Sequence, residues 1–291
     1  MIIVKLLGGL GNQMFQYAVA KVIADKHKTK LKFDLRGLYA GEDVRKTYEL
    51  DIFGIKECQA NHNEYFPFYR ESLFGSKILW KFVKEIRNLQ HYIEQDFTFN
   101  PMLLKHSSKN MLLRGLFQSE KYFVHKRDLI LKEFTFTQAL TGINLELSNL
   151  MGKKNSVAIH IRRGEFAIDK TINKNIGTTS LDYYNKAIEY IENKLKNPVY
   201  YIFSDSPEWV KKNFTVLKNA IVVDWNTGKE SYIDMQLMSM CKYNIIANST
   251  FSWWGAWLNQ NQDKIVIAPK KWFSGWDYDT RDLIPKSWIR L

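Results

Sequence analysis

VAIHIRRGEF, from Val157 to Phe166, decides the fold. An apolar run broken only by His160 stops abruptly at Arg162 and Arg163, as a buried strand does where it reaches a polar tip. Period-2 alternation puts Val157, Ile159 and Ile161 on one face and His160 with Arg162 on the other. Downstream the unit repeats. Helices are predicted over 181–195, 209–213, 232–241 and 251–258, and strands over 199–203, 220–223, 244–247 and 264–268. Such alternation means a parallel sheet covered by helices. Upstream, the chain opens with a strand over 2–7, a glycine turn over 8–11, a helix over 12–26 and a strand over 30–34, a βαβ start. The Lys/Asn/Ser-rich stretch Ser148 to Ser156 reads as the boundary between two Rossmann-like α/β domains, 1–148 and 149–291.

Bulk properties narrow the classes. The 291 residues suffice for two domains of about 140 residues. Apolar content of 45% without repeats or low-complexity tracts excludes a disordered or fibrous protein. No apolar run reaches about 18 residues and glycines interrupt the first one, so a cytoplasmic, non-spanning protein is expected. Cys58 and Cys241 lie far apart without metal-ligand spacing, so no disulfide and no zinc site is expected.

Lys plus Arg total 42 against 30 acidic residues, a net charge of +12 that favours an anionic partner. Nucleic acid is disfavoured, because the basic residues are dispersed and no helix-turn-helix, zinc finger or RNP signature occurs. In the segment 77–93, Ile78, Phe82, Ile86, Leu89 and Ile93 share a helical face, with Lys77, Lys81, Lys84 and Arg87 off it. This predicts a basic amphipathic helix, either packed on its own domain or resting on an anionic membrane.

Ligands of parallel sheets bind beyond the carboxyl ends of the strands. At the first such tip, Arg162 and Arg163 suit a diphosphate, since guanidinium forks bind phosphate oxygens bidentately; they suit a carboxylate partner as well. At the second, Ser204 and Asp205 follow the strand, and Asp205 reads equally as an acceptor for a ribose or base and as a cap for the helix at Trp209. At the third, Asn248, Ser249, Thr250, Phe251 and Ser252 lead into a helix, whose free N–H groups make an anion site. Trp253, Trp254 and Trp257 fit a core better than a sugar platform.

In the first domain, GGLGNQMFQYA places Gly9 and Gly11 beside Asn12 and Gln13 where backbone must approach something closely. A dinucleotide fingerprint with Asp34 at the second strand's end is the simpler alternative, and Met14 in place of its third glycine opposes it. Asp277 and Asp279 form an Asp-x-Asp of the kind that binds divalent metals, but between Trp276 and Arg281 near the C-terminus it reads as a surface turn.

GGLGNQMFQYA, GLFQSEKYF from Gly115, HIRRGEF from His160, YYIFSDSPEWV from Tyr200 and NSTFSWWGAWL from Asn248 together resemble glycosyltransferase family 11, the α-1,2-fucosyltransferases. The resemblance spans nearly the whole chain in the family's order. It implies a GT-B architecture, an acceptor-side first domain and a second domain that binds GDP-fucose, no cofactor or metal, and a galactose-terminated glycan acceptor. It implies further that Arg162 and Arg163 hold the diphosphate, that His160 shapes that pocket, that Asn12 reaches the reaction centre, and that Asp205 and Ser249 to Ser252 contact guanosine and phosphates. Two positions depart from the family: Glu165 stands for the usual aspartate, and Ser206 for a second acidic residue. Glu165 or Asp169 is the expected general base.

Overall fold

The computed structural model describes residues 1–39, 47–69, 85, 87–214 and 219–291. They form two compact units, Met1–Thr137 with Asp279–Leu283, and Gln138–Tyr278 with Ile284–Leu291.

The first unit carries a four-stranded parallel sheet in the order β2-β1-β4-β3. β1 is Ile2–Lys5, β2 Leu31–Asp34, β3 Leu89–Ile93 and β4 Asn110–Arg114. The helix Leu10–Lys26 joins β1 to β2. Its buried side chains occur all round the helix, from Leu10 and Met14 to Val22 and Ile23, so it is enclosed by its unit. β3 corrects one expectation. Leu89 and Ile93 do not continue a helical face; they lie in a strand whose five residues pair in parallel with β4. Periods of 2 and 3.6 both fit so short a segment, and pairing with β4 decides between them. Of the rest of the expected basic helix, Arg87 is exposed in a turn, and Lys77, Ile78, Lys81, Phe82, Lys84 and Ile86 lie outside the described residues.

The second unit has a six-stranded parallel sheet in the order β10-β9-β8-β5-β6-β7. β5 is Asn155–Ile161, β6 Pro198–Ser204, β7 Ala220–Val223, β8 Tyr243–Ile245, β9 Val266–Ala268 and β10 Ile289–Arg290. The alternation seen in the sequence covers both faces of this sheet. Val157, Ile159 and Ile161 pack with Tyr200 and Ile202 against Tyr184, Ala187 and Ile191 of the helix Leu181–Lys194. On the other face Ala158, Tyr201 and Phe203 pack against Leu147, Met151, Leu237 and Met238. Trp253, Trp254 and Trp257 are at most 1% exposed, with Trp253 and Trp257 stacked, so all three are core.

The expected boundary at Ser148 to Ser156 is not a linker. Gly142–Lys153 is a helix whose Leu147 and Met151 complete the second unit's core, and β5 starts at Asn155. Its polar residues are absorbed locally: Ser148 Oγ donates to the Leu145 carbonyl, and buried Asn144 bonds Asn226 and Trp225. The division falls at Thr137/Gln138 instead, and Asp279–Leu283 returns to the first unit. Lys121 and Asp282 form an ion pair there, and the Ser119 hydroxyl donates to the Asp282 carbonyl.

Candidate functional site

Each sheet has one place where the strand order reverses, and there the carboxyl ends of neighbouring strands open a crevice. In the second unit it lies between β5 and β8. The turn after β5 carries Arg162, whose Nη1 is 2.7 Å from Asp205 Oδ2 and whose Nη2 is 2.9 Å from Glu165 Oε1. Asp205 also accepts the Arg163 N–H at 2.9 Å. This close approach is why residue 164 is glycine, since a Cβ there would sit 2.5 Å from Asp205 Oδ2. Arg163 lays its guanidinium 4.0 Å from the Trp209 ring centroid. Asp205 therefore holds the arginine turn and does not cap the helix Pro207–Asn213, whose N-terminal residue Ser206 makes no side-chain cap. Ser204 is similarly engaged. Its hydroxyl donates to the Ile161 carbonyl and accepts the Ser206 N–H, tying β6 to the end of β5, while Ser206 Oγ accepts from the Gly164 N–H.

His160, 6% exposed, lies under this turn with its ring 5.7 Å from Phe251. Burial holds its imidazole down to about 4, against the pull of Asp205 and with the push of Arg162, so it is neutral at pH 7. Its Nδ1 is buried without a hydrogen-bond partner among the described residues, and its carbonyl accepts the Tyr184 hydroxyl. Above it starts the helix Thr250–Leu258, whose N-cap residue Ser249 makes no side-chain cap among the described residues. Ser249 and Thr250 are half-buried there.

Two neighbours predicted to contact the ligand have other duties. Asn248 is buried, accepts from Thr179, and donates to the carbonyls of Ile176, Gly177 and Trp272, so it moors a loop to the strand tip. Ser252, fully buried, donates to the Ser249 carbonyl inside its own helix.

Formal charges at the turn cancel, two guanidinium groups against two carboxylates. Excess positive potential comes from the uncapped helix N-terminus, which adds roughly half an elementary charge. The arrangement can hold an anion whose oxygens displace one carboxylate from Arg162 and reach the helix N–H groups.

The first unit's reversal lies between β1 and β4. Gly8, at φ +74°, turns the chain after β1, and a Cβ there would fall 2.4 Å from Asn12 Nδ2. Asn12 Oδ1 accepts from Gln118 Nε2 at 3.0 Å. Gln13 is not available to a ligand: wholly buried, it donates to the carbonyls of Gly8 and Thr47 and accepts the Glu49 N–H. Gly9 is exposed at the helix start, whereas Gly11 is buried. Asp34, 1% exposed, is gripped by Arg36 through both oxygens, which removes the ribose acceptor a dinucleotide site needs.

Asp169 caps the helix Lys170–Asn175 by accepting from Thr171 and Ile172, a duty at odds with the base role expected of it. Asp279 pairs with Arg281. Sequence reasoning missed Trp209, Tyr184, Gln118 and Glu49. Trp209 and Gln118 were legible only as members of YYIFSDSPEWV and GLFQSEKYF, two of the segments that carry the family resemblance. Glu49 accepts the Leu10 N–H at the Leu10–Lys26 helix start, and burial pushes its carboxyl up to about 7.

With this geometry in view, the comparisons with known proteins agree. The family model described as Glycosyl transferase family 11 matches residues 62–291. The O-antigen biosynthesis glycosyltransferase WbnK of Escherichia coli is 35% identical, over 98% of this chain and 99% of that protein. An alpha-1,2-colitosyltransferase of Escherichia coli is 32% identical over 100% and 98%. Galactoside alpha-(1,2)-fucosyltransferase 2 of Rattus norvegicus is 24% identical over 92% of this chain and 69% of that protein. The chain belongs to glycosyl transferase family 11 and is an enzyme of fucosyltransferase-type glycosyl transfer.

Proposed function

We propose that the enzyme transfers L-fucose from GDP-β-L-fucose to the 2-hydroxyl of a terminal β-galactoside, with inversion and in the GT-B arrangement implied by the family. The observation that carries this reading is Arg162, held by Asp205 and Glu165 next to the uncapped start of the helix Thr250–Leu258. In a single displacement the acceptor oxygen attacks the anomeric carbon as the C–O bond to GDP breaks. Negative charge grows on the leaving diphosphate, where Arg162, Arg163, Ser249, Thr250 and the helix N–H groups receive it, with His160 and Phe251 as the floor. Donors so placed are each worth about 2–4 kcal/mol on removal. Guanidinium groups fill the role a metal would take, so transfer is expected to need none. Glu165 takes the acceptor proton once the diphosphate has displaced it from Arg162. Asn12 works at the reaction centre.

The acceptor is a galactose-terminated surface polysaccharide precursor, met in the cytoplasm, and the net charge of +12 supports contact with an anionic membrane face. Among the described residues no helix is long and apolar enough to cross a membrane. The 32% identity to a colitosyltransferase supports a second reading of the donor alone, a colitose in place of fucose. GDP release from GDP-fucose and GDP-colitose with lactose as acceptor, in EDTA, tests both. Fucose transfer with EDTA present is the expected result; transfer from GDP-colitose alone replaces the donor, and a strict metal requirement defeats the charge assignment.

A further inference from the structure

GLFQSEKYF, singled out in the sequence, takes no part in the function so far, yet it forms the tip of β4 opposite Asn12. Three observations converge on this turn. Phe117 sits at φ +52°, a backbone region that L side chains rarely adopt, although it is wholly buried. Glu94, at the end of neighbouring β3, pins it there: Oε2 accepts the N–H groups of Leu116 at 2.7 Å and Phe117 at 2.8 Å. Gln16 bridges the two strand tips from the other side, accepting the Leu7 N–H and donating to the Gly115 carbonyl. A strained residue held by so many partners marks a position whose geometry matters. What the turn delivers is the side chain of Gln118, 6% exposed, whose Nε2 donates to Asn12 Oδ1.

We propose that Gln118 is a positioning residue that fixes the Asn12 carboxamide, with Oδ1 engaged and Nδ2 offered as a donor to the reacting sugar. An unrestrained carboxamide presents oxygen or nitrogen at little cost, and an oxygen facing the sugar's own oxygens repels where the N–H2 attracts. With the Gln118 bond in place Oδ1 is engaged, and Nδ2, which packs over Gly8, is the half of the amide left to donate. The proposal rests on the transferase reading and on Asn12 acting at the reaction centre.

The test compares wild type, Gln118→Met, Asn12→Ala and the double variant in GDP release from the GDP-sugar, with GDP affinity and melting temperature alongside. Gln118→Met is expected to lower kcat about 10- to 100-fold, the scale of a misplaced reacting group, with donor KM within about threefold. The double variant is expected to be no slower than Asn12→Ala. Losses that multiply, or a Gln118→Met kcat equal to wild type, overturn the proposal. Should Gln118→Met melt early, Gln118→Glu replaces it, since a carboxylate accepts but does not donate and so turns the Asn12 amide round; the same kcat loss is expected. Early melting of both, with GDP affinity lost, shows a packing role and overturns the proposal. A wild type that turns over no GDP-sugar refutes the transferase reading instead.

Discussion

Both units carry an all-parallel sheet, and they differ in what they place beyond its central strand ends. Between β5 and β8 stand two arginines, two carboxylates and an uncapped helix start. Between β1 and β4 stand the neutral amides of Asn12, Gln16 and Gln118 around a glycine turn. Charge suits a diphosphate, which is bound strongly and whose charge rises during the reaction. Neutral amides, which both donate and accept, suit the hydroxyls of a sugar. On the proposed reading, parallel sheets supply the location and side-chain chemistry divides the labour.

Four expectations put that division at risk. The largest effect belongs to Arg162→Ala, which removes the leaving-group charge and strands Asp205 and Glu165 without their cation; transfer should fall about 100-fold or more. GDP-release kinetics measure it, and Arg162→Lys should rescue little, because one ammonium does not span both carboxylates. Asn12→Ala comes next, with kcat reduced about 10- to 100-fold at unchanged donor KM; a large KM change would mean that amides and charges serve the same ligand group. Third, Gln13→Leu leaves the Gly8 and Thr47 carbonyls and the Glu49 N–H unpaired, costing about 3 kcal/mol and roughly 5–10 °C of Tm. Calorimetry checks it, and an unchanged Tm would return Gln13 to the ligand contacts.

The smallest effect concerns pH. Burial raises Asp234 to about 7 although Asn226 donates to it. A carboxyl that holds its proton more tightly when folded contributes stability at low pH, and this is lost as pH climbs from the unfolded value near 4 through 7. Asp234→Asn should therefore narrow the Tm difference between pH 5 and pH 8 by a few degrees. Glu49 and Glu94, both raised to about 7 by burial, keep part of that difference in place.

Much of the second unit was legible because its strands are buried on both faces and read as unbroken apolar runs. Tyr200 to Phe203 is one example, and Val157 to Ile161, interrupted only by His160, is another. β3 escaped, since LQHYI satisfies a helical and a strand period alike and only β4 settles the choice. The helix Gly142–Lys153 escaped because the polar stretch from Ser148 looks like a boundary until Leu147 and Met151 are seen in the core and Asn144 bonded to Asn226 and Trp225. At the candidate site, residue types pointed to polar groups at the strand ends, where Arg162 and Asp205 lie, but did not say which of them were already engaged. Gln13, Asn248, Ser252 and Asp169 each resemble ligand contacts in sequence, and each closes local hydrogen bonds instead. Composition and spacing reveal where polar groups gather, whereas three-dimensional pairing determines which remain open to a ligand.

The most direct measurement is GDP affinity by isothermal titration in EDTA for wild type, Arg162→Ala and Asn12→Ala. If the charged reversal holds the diphosphate, Arg162→Ala weakens GDP at least about 30-fold, the equivalent of roughly 2 kcal/mol, while Asn12→Ala stays within about twofold of wild type. Equal weakening by both variants, or GDP binding that survives Arg162→Ala intact, would contradict the division of labour between the two units.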